Sequence, residues 1–424
     1  MTQSYLESQN NKVAIDDVRM RGFKKRSTVE QANAWLNQQL LDLPEIIVPL
    51  NQAAGRVVSQ EIISQYNIPG FERSMMDGYA IVASDAQGAS SYNQLQLKVI
   101  GKSMPGREAG VKVTSGTAVR IMTGAPLPEG ADAVLPAEKV ELEDQFIFVM
   151  ESVAQGRNIG RMGEDIRAGT VILEKGRRLR PQDIGLLASI GHSEISVCAR
   201  PRISVMVTGN EILPVGEKPK NYQIINSNGP MLESLGIRDG GEIISSKIIP
   251  DDPEKIRQAM LEDYDILLIT GGTSVGEEDL APLLLAELGE LAIHGVAMRP
   301  SRSTGMGKIG KKMVFLLPGN PVACLCAYDF FAGKFIRRTT GLGNDWPYFP
   351  VVKKLKQKQV SMIGRTDYAR VRLIDDLVEP VAISGAANLS STTQAHGFVI
   401  VPGDSEGYAP GTEVEVFLYD KYLG

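Results

Sequence analysis

The chain of 424 residues is too long for one ordinary domain, and with 43% hydrophobic and 22% charged residues it can furnish several cores. Its net charge of −5 argues against nucleic acid as the main partner, and no apolar run approaches a membrane-spanning length. The polar start, MTQSYLESQNNK, lacks the apolar core of a secretory signal. Cys198, Cys324 and Cys326 are expected to be reduced core residues of a cytoplasmic protein. His192, His294 and His396 are far apart, with no Cys or His nearby at metal-ligand spacing, which disfavours a His-based zinc site or a Ser-His triad.

Residues 1–25 read as a loose arm. Ser27-Thr28-Val29-Glu30 carries a capping-box signature, and Val29, Ala32, Leu36, Leu40 and Leu43 follow at helical spacing up to Pro44. Ile46–Val48 and Glu61–Ser64 read as short extended pieces. In NIPGFERSMMDGYAI (67–81) a Pro-Gly turn leads to Asp77 at the start of a strand, a position where a turn aspartate is ordinary. The next residues, to about Met150, read as β: Leu95–Ile100, Ala118–Met122, Ala131–Leu135 and a hairpin at Glu143-Asp144. Thr123 closes one strand and alone is unremarkable. Gly160–Asp165 is a Gly-rich charged loop, and Arg177–Arg180 reads as a solvated basic face. Pro181–Ile190 is a helix with a Pro start, stopped by Gly191.

After Pro201 the pattern changes to strands alternating with helices, which indicates a parallel or mixed sheet covered on both faces. Ile203–Val207 is a strand, Asn226–Leu235 a helix stopped by Gly236, Glu242–Ile249 a strand and Pro253–Leu261 a helix. Two strand–loop–helix units follow. In ILLITGGTSVGEEDLAP (266–282) a buried strand gives way to Gly271 and Gly272, which allow a sharp turn. Such a loop offers N–H groups to an oxyanion, with hydroxyls from Thr273 and Ser274, while Glu277, Glu278 and Asp279 can hold a cation. In the second unit the apolar run Met313–Leu317 ends at Pro318-Gly319-Asn320-Pro321. Asn320 suits an N-cap and Pro321 the first position of a helix to about Arg338, whose start is an anion site. Either loop alone would pass as ordinary α/β punctuation. Glu211, Asp251 and Asp279 each follow a strand, so in a parallel sheet all three reach one edge, where ligands bind. From Gly343 the pattern is β again, with strands at Tyr368–Ile374, Val381–Ser384, Gly397–Val401 and Glu413–Tyr419. They suggest a small barrel or sandwich without a motif of chemistry.

Seven segments in this order resemble the molybdopterin molybdenumtransferase family (MoeA, and the E domain of gephyrin). They are SMMDGYA (74–80), RIMTGAPLPEGADAV (120–134), GRMGEDI (160–166), RPRISVMVTGNEI (200–212), IIPDDP (248–253), TGGTSVGEED (270–279) and LPGNPVA (317–323). The resemblance covers the chain from about Ser27 to its end. It implies a multidomain α/β plus β fold: an elongated mixed domain (27–66 and 152–199) and an inserted β domain (67–151). A central three-layer α/β/α pterin-binding domain like that of molybdopterin adenylyltransferase (200–342) and a C-terminal β-barrel-like domain (343–424) complete it. It implies a homodimer whose active site joins the α/β domain of one subunit to the inserted domain of the other. The implied reaction is Mg²⁺-dependent insertion of molybdenum from molybdate into adenylylated molybdopterin, with release of AMP.

By the same resemblance, Asp77, Thr123, Glu211, Asp251 and Asp279 are catalytic candidates, with Asp279, Glu211 and Asp251 as Mg²⁺ ligands. Asp77 would position either the attacking water or the molybdate. Phosphate groups would lie on Gly271, Gly272, Thr273 and Ser274 and on Pro318, Gly319, Asn320 and Pro321, and molybdate on Arg299, Ser301 and Arg302. Molybdopterin adenylyltransferase and apo-molybdoenzymes are the implied partners. Alternatives are adenylyltransferase activity, which the α/β domain alone would fit, and a non-catalytic pterin carrier. The chain departs from the family in three places. Arg299-Pro300-Ser301-Arg302-Ser303 replaces Lys-Pro-Gly-Lys-Pro, and Asn210 and Asn226 replace aspartates, which is expected to weaken the metal site and its charge.

Overall fold

The computed structural model describes residues 26–274, 279–382 and 388–420, which fall into two compact units. One contains residues up to Ile46 together with Val197 onward. The other is Ile47–Ser196.

In the first unit the apolar runs after Pro201 build a six-stranded sheet. Its order is Glu242–Ile249, Arg202–Thr208, Ile266–Thr270, Lys312–Leu317, Gly305–Ile309 and Glu290–His294. The first four run parallel, and Gly305–Ile309 pairs antiparallel with both of its neighbours. These strands are apolar on both sides because helices cover both faces. Ile203, Val205, Leu268 and Phe315 pack with Leu232, Cys324 and Phe335 on one side. Met206, Leu267, Ile269 and Val314 pack with Ile256, Met260, Leu284 and Leu285 on the other. The three-layer expectation therefore holds. Arg202–Thr208 is the earliest strand, and the chain adds neighbours on either side of it. The reversal of strand order opens a crevice at the carboxyl ends of Arg202–Thr208 and Ile266–Thr270.

Some boundaries differ from expectation. The first helix, Val29–Asn37, is capped by Thr28 with Gln31, not by Ser27 with Glu30. It stops short of Leu43: Leu40 is exposed, and the Arg338 guanidinium donates to the carbonyls of Leu36 and Gln39 at the helix end. Its apolar face, Val29, Ala32 and Leu36, joins the core of the α/β sheet. The next helix is Asn228–Arg238, and Gly236 lies inside it rather than ending it. A Cβ there would meet Ile243 Cδ1 at 2.9 Å, so the glycine serves close packing against the sheet. The last long helix begins at Pro321 as expected. It passes through a π turn at Tyr328–Ala332 and continues as Gly333–Thr339. Beyond it the barrel expectation is met. Thr366–Ile374, Leu377–Ala382, Phe349–Leu355, Glu413–Leu418 and Gly397–Val401 are neighbours in that order, and Thr366–Ile374 pairs with Gly397–Val401 to close the circuit. Residues 383 and 384 of the expected strand Val381–Ser384, and the proposed arm at 1–25, lie outside the described residues.

The second unit carries another six-stranded sheet, ordered Ala133–Pro136, Gly78–Ile81, Thr117–Ile121, Leu95–Ser103, Phe146–Val149 and Val140–Glu143. Its hairpin turns at Asp144, whose φ is 51°. Tyr79, Ile81, Leu135 and Ile147 face one core, and Ala80, Val119, Ile121 and Val134 another. The basic run is not simply solvated. Arg180 and Arg177 both pair with the buried Asp183, at 3.0 and 3.5 Å, and Asp183 also accepts from the Arg180 backbone N–H at 2.8 Å. The Arg180 guanidinium is the main cause of a carboxyl pulled down to about 2 from 3.8. The stabilisation is therefore full above pH 4 and is lost as pH falls through 2. Asp183→Asn should cost about 2 kcal/mol at pH 7 and less at pH 2, read from urea unfolding at both values.

Among the described residues no helix is long and apolar enough to cross a membrane. Cys324 and Cys326 are buried and Cys198 only partly so, and burial pushes the Cys324 thiol up to about 12.

Candidate active site

In the α/β unit three loops meet at the carboxyl edge of the sheet. Gly271 (φ 86°) turns directly beneath Thr208, where an added Cβ would lie 2.1 Å from the Thr208 carbonyl oxygen. Only glycine allows this approach. Gly319 lies against Gly271, with its own Cβ position 3.5 Å from Gly271 Cα. Thr270 Oγ1 donates to the Pro318 carbonyl at 3.0 Å, and Thr273 Oγ1 to the Leu317 carbonyl at 2.9 Å. The Thr273 hydroxyl is thus used to tie the two loops together. Its expected role as an outward donor is not met by the side chain.

The knot includes a residue that sequence reasoning passed over. Asn228, 6% exposed at the start of its helix, donates to Thr270 Oγ1 at 2.9 Å and to the Gly319 carbonyl at 2.8 Å. The signal was present in the triplet Asn226-Ser227-Asn228, but the helix was expected to begin two residues earlier. Among the described residues the buried Asn228 Oδ1 and Thr208 Oγ1 atoms have no hydrogen-bond partner, an uncommon state that marks this crevice.

Asn320 begins the last helix as a backbone cap: its carbonyl accepts from Cys324 N–H at 2.9 Å, but its side chain makes no capping bond. Gly319 and Asn320 are exposed, with Pro321 at the first helical position. Against the same first turn lies the loop beginning at Arg299. The buried Ser301 hydroxyl donates to the Ala323 carbonyl, so this side chain too is occupied internally and pins the loop. Ser301 has φ 90°, a conformation that favours glycine, which accounts for the glycine of the family pattern at this place. Arg302 is exposed and has no ion pair among the described residues, whereas Arg299 reaches the buried Asp367 carboxylate at 2.9 Å.

The carboxylates follow the expected edge. Glu211 is exposed after Arg202–Thr208, and Asp251 follows the neighbouring parallel strand. Asp251 Oδ2 accepts from Asn210 N–H at 3.1 Å, and Asn210 Oδ1 accepts from Asp251 N–H at 3.3 Å. Asn226 Oδ1 accepts from Gly229 N–H at 2.9 Å. Both amides therefore use their oxygens as backbone acceptors, a task an aspartate would also perform. What the substitutions remove is charge, not scaffolding. Asp279 lies close enough to His294 to oppose the downward shift that burial imposes on that imidazole. Glu277 and Glu278 lie outside the described residues. Among the described residues no three Asp, Glu, His or Cys side chains gather into a metal-holding group.

In the other unit Asp77 and Thr123 meet. Asp77 Oδ1 accepts from the Thr123 backbone N–H at 2.7 Å and from its hydroxyl at 2.8 Å. These bonds, the backbone one first, hold the Asp77 carboxyl below its usual 3.8, with help from Arg120. Gly78 is required beside it, because a Cβ there would sit 1.8 Å from the Leu135 carbonyl oxygen.

Family models match in three blocks: "MoeA N-terminal region (domain I and II)" over 27–191, "Probable molybdopterin binding domain" over 204–338 and "MoeA C-terminal region (domain IV)" over 354–419. A Staphylococcus aureus molybdopterin molybdenumtransferase is 33% identical over 402 residues, 93% of this chain and 96% of that protein. The chain belongs to the molybdopterin molybdenumtransferase (MoeA) family. A molybdopterin biosynthesis protein of Methanocaldococcus jannaschii is 35% identical over 383 residues, covering 88% of this chain and 91% of its own. The crystal structure of the MoeA molybdopterin biosynthesis protein from Pyrococcus horikoshii superposes with a TM-score of 0.83. It is 33% identical and covers 93% of this chain and 100% of its own. MoeA proteins serve molybdenum cofactor biosynthesis, and the architecture derived above is theirs.

Proposed function

We infer that the protein transfers molybdenum from molybdate into adenylylated molybdopterin and releases AMP. The observation that carries this reading is the knot of loops at Thr270, Asn228 and Gly319, with an arginine loop pinned beside it at Ala323. A phosphorylated pterin needs backbone N–H donors, and Gly271–Ser274 with the Asn320 helix start provides such a surface. Molybdate is a divalent oxyanion, and Arg299 and Arg302 offer charge and forked donors.

Mg²⁺ usually takes one or two carboxylates and completes its shell with phosphate oxygens and water. That preference fits Glu211, Asp251 and Asp279 on one sheet edge, with no ready-made group of three among the described residues. When bound it would polarise the phosphoryl oxygens. The protein's own contribution is to hold the phosphates on the glycine loop and the oxyanion on the arginines.

Asp77 is suited to orienting water or a cation. Its depressed pKa makes it a weak proton acceptor at neutral pH, and an anion would repel molybdate directly. By the family resemblance the protein acts as a homodimer, in which each subunit's Asp77 and Thr123 serve the partner's pterin loops. It works in the cytoplasm beside an adenylyltransferase that supplies substrate and apo-enzymes that take product. The same reading divides the chain into 27–66 with 152–199, 67–151, 200–342 and 343–424.

The test is AMP release from adenylylated molybdopterin by the purified protein with Mg²⁺. The expected result is release that depends on molybdate and leaves molybdenum on the pterin, and that drops at least tenfold in Asp279→Ala. Tight pterin binding without AMP release, while an active transferase control works, would leave a carrier. AMP transfer from ATP onto molybdopterin would instead make it an adenylyltransferase.

A further inference from the structure

The C-terminal barrel showed no motif of chemistry in its sequence, yet it enters the arginine loop directly. The strand Met298–Arg299 pairs in parallel with the start of Thr366–Ile374, and Arg299 stands opposite Asp367. The Thr366 N–H donates to the Ala297 carbonyl at 2.9 Å, which fixes this register. Asp367 is 1% exposed. Its Oδ2 lies 2.9 Å from Arg299 Nη2 and its Oδ1 2.9 Å from Arg365 Nε. The Arg299 side chain remains 38% exposed while its Nη2 is held on the carboxylate.

A carboxylate buried to this degree is costly unless its charge is met, and two guanidinium groups meet it here. The three groups keep a net positive charge, because one carboxylate sits between two arginines. Arginine has five N–H donors in a rigid fork, so one edge can hold a carboxylate while the other faces a second anion. Lysine, the residue of the family pattern at this place, has one rotating ammonium and no second fixed edge. The loop cannot easily drift from this setting. Ser301 is pinned to Ala323, Thr304 Oγ1 donates to the Ser301 carbonyl at 2.8 Å, and Val296 N–H donates to the Arg302 carbonyl at 3.1 Å.

We propose that Asp367 is a positioning residue for molybdate: it holds Arg299 so that the free edge of the guanidinium is presented to the incoming oxyanion. The proposal rests on the reading of the Arg299–Arg302 loop as the oxyanion site. It gives the C-terminal barrel a part in the site, acting through Arg299 and not through contact with substrate.

The experiment is a double-mutant cycle on molybdate binding by the full-length protein, measured by titration calorimetry and independent of turnover. Arg299→Ala, Asp367→Asn and the double variant are compared, with melting curves recorded for each. The expected result is about tenfold weaker binding in Asp367→Asn, as for a misplaced charged donor. Pterin binding should stay unchanged, and Asp367→Asn should bring no further loss in the Arg299→Ala background. A merely structural role would weaken pterin and molybdate binding together and would persist without Arg299. Molybdate binding within twofold of wild type in Asp367→Asn, with a clear loss in Arg299→Ala, would overturn the positioning role alone. Unchanged binding in Arg299→Ala would overturn the oxyanion reading and this proposal with it. Should Asp367→Asn not fold, Asp367→Glu carries the same comparison: it keeps the charge but displaces the anchor, and an unchanged molybdate affinity there would overturn the proposal.

Discussion

Replacing Asp239 by alanine should destabilise the α/β unit by about 3–5 kcal/mol, the usual cost of leaving a buried charge without its partner. Asp239 is fully buried at the end of the Asn228–Arg238 helix. It accepts from Arg238 at 2.8 Å and from the Tyr328 hydroxyl at 3.0 Å, and it pairs with Arg337 at 3.0 Å. Arg238 also reaches Asp329 at 3.0 Å, and the Tyr348 hydroxyl donates to Asp329 at 2.7 Å. Two arginines and two aspartates thus balance in charge, although the Arg337 nitrogens have no hydrogen-bond partner among the described residues. Arg337, itself 4% exposed, would be stranded by the substitution because water cannot reach it. Arg337→Met in the Asp239→Ala background removes the stranded charge and should recover part of the loss. Both tryptophans, Trp35 and Trp346, pack against the core of this unit, so the transition is read from their fluorescence in urea. A change under 1 kcal/mol in the single variant would mean that the network contributes little.

The α/β unit was legible because its strands are apolar runs bounded by glycine and acidic turns, and because helices cover both of their faces. The edge that gathers Glu211, Asp251 and Gly271 followed from strand order alone. What stayed hidden depends on packing or on distant pairing. Gly236 reads as a helix stop, but its place is set by the side chains of Ile203 and Ile243 across the helix–sheet interface. Leu40 continues a helical pattern, yet the helix has already ended at the Arg338 guanidinium, which is contributed from the far end of the chain. The hydroxyls of Thr273 and Ser301 looked like ligand donors because sequence does not reveal that Leu317 and Ala323 lie within reach. Asp367 had no local signal, since its meaning comes from standing opposite Arg299. The π turn at Tyr328–Ala332 was equally silent, although Asp329 within it anchors the buried network.

Asp77→Asn should lower turnover by about 10²–10³-fold while leaving the melting temperature close to wild type, as expected for the proposed role of Asp77 as a charged group at the reacting centre. The substitution is chosen for its geometry. Both Thr123 donors converge on Asp77 Oδ1, and an asparagine carbonyl oxygen can accept both bonds. The local structure is therefore kept, and only the charge and the outward oxygen change. Alanine would also release Thr123 and would confuse the two effects. Thr123→Ala removes the hydroxyl bond and leaves the backbone bond, so its loss should be smaller, about tenfold, and Thr123→Ser should restore it. The pH profile separates the roles open to Asp77. Thr123 holds its carboxyl below 3.8, so it stays ionised throughout the neutral range. A carboxylate that orients water or a cation then produces no acid limb between pH 5 and 8. An acid limb in that range that disappears in Asp77→Asn would mean that Asp77 takes up a proton during the reaction. Full turnover in Asp77→Asn would remove it from the mechanism and would leave the chemistry to the loops of the α/β unit.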